Sequence, residues 1–233
     1  MAGSLPSRTR LAVVGGTGPQ GRGLATRFAA AGRAVAIGSR DPGRAKAAAD
    51  EVAELAVQLA RGTDWDVGEI GAGANSDVVV DADIVVVSVP WSGHEETLRE
   101  LAPLLADKVV VDCVNPLGFD ERGPYPVVVD ESSAAQQAQR LLPGSRIVAA
   151  FHHVSAVLLL DPEVRGIDTD VLVLGDDREA AEQVIALAGT VPGMRGVFAG
   201  RLRNAGQVEA LAANLIAINR RYKAHAGIRV TDV

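Results

Sequence analysis

Four clusters in this chain combine residue types and spacings that could do chemistry: Gly16-Thr-Gly18-Pro-Gln-Gly21, Gly38-Ser39-Arg40, Pro90-Trp91 and His152-His153. The first is a G-x-G-x-x-G stretch that follows an apolar run at 11–14 and opens an alanine-rich segment at 19–31. A glycine pattern lying between a strand and a helix fits a dinucleotide. Gly16 would permit the tight turn, Gly18 would let a pyrophosphate approach the backbone, and Gly21 would let the helix pack close to the strand. The helix N-terminus then faces the phosphates with free N–H groups.

The second cluster selects the dinucleotide. An apolar run at 34–38 arrives at the distance of a second strand and ends in Ser39 and Arg40, with Arg44 one helical turn further on. An NAD site usually places Asp or Glu there for the ribose 2′-OH. A hydroxyl and two guanidiniums instead offer donors and positive charge to a 2′-phosphate, so the expected cofactor is NADP(H). The alternative is that Arg40 and Arg44 are solvated charges at a helix start beside Asp41.

Other strand ends carry the remaining candidates. The run at 84–90 ends in Val89-Pro90-Trp91, where Trp91 reads either as a flat wall for the nicotinamide or as a cap on the core. Asn115 precedes Pro116 and reads first as a turn residue, with a cofactor hydrogen bond as its other use. His152 closes the run at 146–151 and could donate to a substrate carbonyl or move a proton, or else simply pack. The His152-His153 pair does not read as a metal site, because adjacent residues on an extended segment point opposite ways. His94 and His225 read as capping or surface residues, and Ser132-Ser133 as a helix cap. No nucleophile constellation and no lysine in a dehydrogenase-like position is present. A reaction that moves only a hydride between two rings needs orientation more than an acid–base pair.

The elements that must position these residues alternate strand and helix. Helices are expected at 19–31, 42–61, 94–105 and 131–142, strands at 84–90, 108–112 and 146–151, and a turn-rich passage at 62–75. Beyond residue 151 come strands at 170–175 and 196–199, a helix at 178–188 and a long helix at 204–225 with Val208, Leu211, Leu215 and Ile218 on one stripe. The fold class is therefore α/β: a Rossmann-type, doubly wound, mainly parallel sheet with a small C-terminal helical domain. The expected division is a dinucleotide-binding domain at 1–178 and an appendage at 179–233. The 233 residues are 48% hydrophobic and 22% charged, enough for a full core. A net charge of −6 suggests no nucleic-acid or membrane-surface partner, and no apolar run reaches the length of about 18 residues that spans a bilayer. Cys113 is the single cysteine, which fits a reducing, cytoplasmic setting. Residues 1–10 read as a loose tail. Residues 201–233 carry six Arg or Lys against Glu209 and Asp232, either a solvated face or an attractor for an anionic substrate.

Taken jointly, Val-Val-Gly-Gly-Thr-Gly-Pro-Gln-Gly, Ile-Gly-Ser-Arg, Val-Pro-Trp and Asn219-Arg-Arg-Tyr-Lys-Ala-His-Ala-Gly-Ile-Arg229 resemble the NADPH-dependent reductases of coenzyme F420, a deazaflavin. The resemblance runs over nearly the whole chain. It implies reversible hydride transfer between NADP(H) and F420, a homodimer, and a C-terminal domain that completes the deazaflavin site. It implies phosphate contacts from Thr17, Gly18, Pro19 and Gln20 and a 2′-phosphate held by Ser39, Arg40 and Arg44. Val89 and Trp91 would lie near the nicotinamide, His152 would line the crevice, and Ala226 and Gly227 would border the deazaflavin, whose acidic tail would give the basic closing segment a purpose. The chain departs from some relatives in having Ser92-Gly93-His94 after Trp91, and Ala210 and Ala212 where hydroxyls occur. Two other readings stand beside this one: an NADP-dependent reductase of a flavin, ferric chelate or imine, and a non-catalytic NADP sensor.

Overall fold

The computed structural model describes residues 5, 6 and 8–233. The chain begins β1 (Arg10–Val14), α1 (Pro19–Ala30), β2 (Ala34–Ser39), α2 (Pro42–Ala60), β3 (Ile70–Ala74), α3 (Asn75–Val78), β4 (Ile84–Val87) and α4 (His94–Leu101). It continues with β5 (Val109–Asp112), a hairpin of β6 (Leu117–Asp120) and β7 (Gly123–Pro126), α5 (Ala134–Leu141), β8 (Arg146–Ala149) and α6 (Ala156–Leu160). The last elements are β9 (Thr169–Gly175), α7 (Arg178–Ala188), β10 (Met194–Gly200) and α8 (Ala205–Tyr222).

Eight strands form one sheet in the order β10-β9-β8-β5-β4-β1-β2-β3. Every neighbouring pair is parallel except β8 with β9. The central strands are aliphatic on both faces because both are buried. Leu11 and Val13 of β1 face a core shared with Phe28 of α1 and Val52 of α2. Ala12 and Val14 face a second core with Leu98 of α4, Ala138 of α5 and Val208 of α8. From β1 the chain winds outward to β2 and β3, and from β4 in the other direction to β5 and β8. The strand order therefore reverses between β1 and β4, and a crevice opens at their C-terminal ends, the place where such sheets bind ligands.

The structure differs from the sequence expectation at several points. β3 occupies part of the passage expected to be turns, because Ile70-Gly-Ala-Gly-Ala is held in register by β2 as an edge strand rather than by its own apolar pattern. The hairpin and α6 were not expected either. The fifth helix starts only at Ala134, where the Ser133 hydroxyl accepts from the Gln136 N–H, and the last ends at Lys223 in the left-handed conformation. β10, which follows residue 178, pairs along its length with β9, so the sheet continues through Gly200, and a short 3-10 turn (Leu202–Asn204), α8 and the tail lie beyond it. Residues 1–4 and 7 of the expected loose tail lie outside the described residues; Leu5 is buried in the first core, and Arg33 donates to the carbonyls of Leu5 and Pro6. Among the described residues no helix is long and apolar enough to cross a membrane.

Candidate active site

The crevice at the β1/β4 reversal is a cleft of about 720 Å³. One end is the β1–α1 turn. The glycine with left-handed backbone there is Gly15 (φ 71°), not Gly16. A Cβ at Gly15 would lie 2.6 Å from Val89 Cγ1, so the turn presses directly against the end of β4. Gly16 and Gly21 are packing glycines: a Cβ on Gly16 would meet Val13 O at 2.8 Å, and one on Gly21 would meet Gly16 Cα at 2.8 Å. Gly18 is different. It caps α1, and a Cβ there would meet only Gly15 O, at 3.9 Å, before projecting into the open cleft. No side chain caps α1 and no acidic residue stands in its first turn, so its N–H groups remain available to an anion. Thr17, Pro19 and Gln20 line the same wall.

At the end of β2, Ser39 is buried while Arg40 and Arg44 are exposed along the cleft rim. Asp41 also lines the cleft, but its carboxylate accepts from the N–H groups of Gly43 (2.8 Å) and Arg44 (3.3 Å) as the α2 cap. The Asp41 carboxylate is thus tied to the α2 start, the Ser39 hydroxyl accepts from the Asp41 N–H (3.2 Å) and keeps its proton to donate, and among the described residues the two guanidiniums stand free on the rim.

The opposite end is built from three strand ends. Val89 and Trp91 follow β4, Asn115 follows β5 and His152 follows β8, and all line the cleft. Phe151 adopts a left-handed backbone (φ 64°), unusual for a bulky residue. Two hydrogen bonds hold this bend: Gln20 Nε2 donates to Phe151 O (3.2 Å) and Asn115 Nδ2 to His152 O (2.8 Å). Asn115 is therefore more than a turn residue; it ties the end of β5 to the bend that carries His152. The backbone of Cys113 and Val114 lies beside the His152 ring, yet neither ring nitrogen completes a hydrogen bond, and Asn115 Oδ1 is likewise buried without a partner. Burial pushes the His152 pKa down to about 4, against the pull of the Asp112 carboxylate, so the ring is neutral near pH 7. His153 turns the other way, its Nε2 accepting from the Leu172 N–H, and burial lowers it to about 4 as well. Cys113 lines the cleft as an inert thiol: burial raises it to about 12, and Sγ donates to Val87 O.

Comparison with known proteins accords with this geometry. A family model described as NADP oxidoreductase, coenzyme F420-dependent, matches residues 10–116. The F420-dependent NADP reductase of Methanothermobacter thermautotrophicus is 40% identical over 229 residues, covering 96% of this chain and 95% of the relative. The chain belongs to the F420-dependent NADP reductase family. A reductase of the same name from Methanocaldococcus jannaschii is 34% identical, covering 96% of this chain and 99% of that one. A solved structure of a candidate F420-dependent NADP reductase from an Arthrobacter species superimposes with a TM-score of 0.77 at 27% identity, covering 96% of this chain and 99% of that one. A pyrroline-5-carboxylate reductase of Coxiella burnetii (TM-score 0.59, 13% identity) shares the fold.

In this family member the cleft does not gather every expected residue. Ala226 and Gly227 lie outside its lining, on a tail strapped to the start of β9. The Asp170 N–H donates to Ile228 O, and the fully buried Asp170 carboxylate accepts from Arg195, from Arg229 and from the Val230 N–H. These bonds draw the tail along β9. The basic segment is partly neutralised by the same pairing, with Arg229 on Asp168 and Asp170 and Arg201 beside Asp176. His94 is neither capping nor at the surface; it is wholly buried, with its ring nitrogens within hydrogen-bond distance of Asp112 Oδ2 and Gln137 Oε1. Sequence reasoning missed Gly15, Asn75 and Thr97 on the cleft wall. Of these, Gly15 had a signal, the doubled glycine directly after the strand.

Proposed function

We propose that this chain transfers a hydride reversibly between NADP(H) and coenzyme F420, with the cleft between the glycine turn and His152 as the shared site. What carries this reading is the distribution of unused polar groups along one cleft, set on a chain that matches its reductase relatives over nearly full length. The uncapped α1 N-terminus suits a pyrophosphate, and Thr17, Gly18, Pro19 and Gln20 surround that position. Ser39, Arg40 and Arg44 suit a 2′-phosphate. Buried, unpartnered polar atoms at His152 and Asn115 require a ligand or water to complete them, and a carboxamide-bearing ring with one apolar face against Val89 and Trp91 does so.

NADPH supplies a hydride when bound, and F420 takes up that hydride with one proton to give F420H2 and NADP+. The chain's own work is orientation. Gly18 leaves room for close approach, Trp91 and Val89 bound one ring face, and neutral His152 is a hydrogen-bond partner rather than a carrier of a charge-balancing proton. Ala226 and Gly227, on the β9 strap, would border the far part of the deazaflavin, with the segment 179–233 as the element that completes the site. We assign the chain to the cytoplasm, where Cys113 stays reduced, and to a homodimer. The exposed apolar residues Phe119 and Tyr125 on the β6–β7 hairpin, Val128 just after it and Tyr222 at the end of α8 support a second copy as partner, and light scattering coupled to gel filtration tests it. The functional test is loss of F420 absorbance with NADPH, against little change with NADH or a simple flavin. NADPH binding without F420 turnover would refute the assignment.

A further inference from the structure

His94 opens α4 and is fully buried. Its Nε2 lies 2.7 Å from Asp112 Oδ2 and its Nδ1 lies 2.9 Å from Gln137 Oε1. The Gln137 amide nitrogen points to Glu131 Oε2 (3.4 Å), which leaves the amide oxygen for the imidazole. Both ring nitrogens therefore meet acceptors, an arrangement that only a doubly protonated imidazolium satisfies. The Trp91 ring lies against it, with centroids 5.4 Å apart and planes tilted by 34°, and Trp91 lines the cleft. Stability alone does not account for such a cation. A positive charge at a helix start is opposed by the macrodipole, and a buried ion pair is often no better than an apolar one of the same shape.

We propose that His94 is a positioning residue for hydride transfer: a buried imidazolium, anchored by Asp112 and Gln137, that holds the Trp91 ring by a cation–π contact as the wall of the nicotinamide end. Its kinetic part rests on the reading of the cleft as the NADP(H) site. The charged groups around it come from several elements. Asp112 stands at the end of β5, Glu209 reaches in from α8, and Glu131 lies behind Gln137, paired with Arg140. Glu95 and Glu96 follow on α4 itself, and neutral His152 also feels the Asp112 carboxylate. Burial pulls the His94 pKa down, but Asp112, Gln137 and Glu209 together outweigh it and the net direction is up.

The chain has two tryptophans, so Trp65→Phe leaves Trp91 as the only indole. An imidazolium in contact with an indole quenches its emission, whereas a neutral imidazole or an amide does so far less. In cofactor-free Trp65→Phe protein, Trp91 emission at pH 7 is expected to be dim and to rise as His94 loses its proton in alkali. Trp65→Phe/His94→Gln is expected to be bright at pH 7 with no such rise. In the full-length enzyme, His94→Gln is expected to lower kcat about 2- to 30-fold, more than it changes the NADPH KM, and to add little to Trp91→Ala. Equal emission with and without His94, or additive kinetic effects, would overturn the proposal. If His94→Gln does not fold, 15N imidazole signals of the Trp65→Phe protein decide: His94 protonated on both nitrogens at pH 7 supports it, and on one overturns it. The optical and NMR arms need no cofactor, so failure there is distinct from failure of the NADP(H) reading.

Discussion

Replacing Arg40 by Ala removes the side chain that follows β2 on the cleft rim and leaves the backbone of the turn untouched. A charge-assisted hydrogen bond contributes about 1.5–3 kcal/mol. Arg40 is exposed, so water screens its charge and the loss falls at the lower end, about 1.5 kcal/mol or about tenfold in affinity. Asp41 keeps that loss from being recovered. Its carboxylate is held by the Gly43 and Arg44 N–H groups, lines the same cleft and would face a 2′-phosphate with one fewer cation between them. NADH has no 2′-phosphate, so its KM should stay within about twofold. Steady-state rates at saturating F420, with NADPH and NADH each varied, measure the two effects directly. Added salt should narrow the NADPH difference between wild type and variant, because the contact is exposed. Equal losses for both dinucleotides, or none for either, would refute the assignment of Arg40 and return it to the solvated-charge reading.

Gly15→Ala forces a Cβ to 2.6 Å from Val89 Cγ1 at a left-handed position; a thermal melt should show a loss of about 1–2 kcal/mol, with weaker NADPH binding by fluorescence titration. His152→Gln should lower kcat about 2- to 10-fold, and the wild-type rate profile from pH 5 to 8 should show no inflection that this variant abolishes, because a ring titrating near 4 is already neutral there. Glu209 accepts from the N–H groups of Ala134 and Ala135, and burial raises it from 4.5 to about 7. A raised carboxyl stabilises fully below its unfolded pKa and loses that contribution as pH climbs through the folded value. Urea denaturation should therefore show wild-type stability falling between about pH 4.5 and 7 relative to Glu209→Gln, by up to about 3 kcal/mol.

Much of the sheet was legible because its central strands are aliphatic runs buried on both faces, a pattern carried within each segment. β3 was not. Ile70-Gly-Ala-Gly-Ala has one large aliphatic residue, and its extended form comes from backbone bonds to β2. The hairpin Leu117–Asp120 with Gly123–Pro126 contains glycines and prolines that read as loop, and it is stabilised by packing against α8. Within the cleft, the positions of the glycine turn and of Ser39 and Arg40 at the end of β2 could be read directly, whereas the left-handed position expected at Gly16 falls at Gly15. Backbone conformation depends on how closely β4 approaches, and that approach is invisible along the chain.

The sequence by itself determined the glycine turn between β1 and α1, the placement of Ser39 and Arg40 at the end of β2 and the alternation that builds the sheet, because each depends on neighbours within one or two helical turns. Tertiary structure alone decided where His94 and the C-terminal tail went. His94 meets Asp112 and Gln137 across 18 and 43 residues, and Arg229 meets Asp170 across 59. A buried charge settles where an opposite charge or an acceptor is within reach once water is excluded, and only the packed fold brings those partners together.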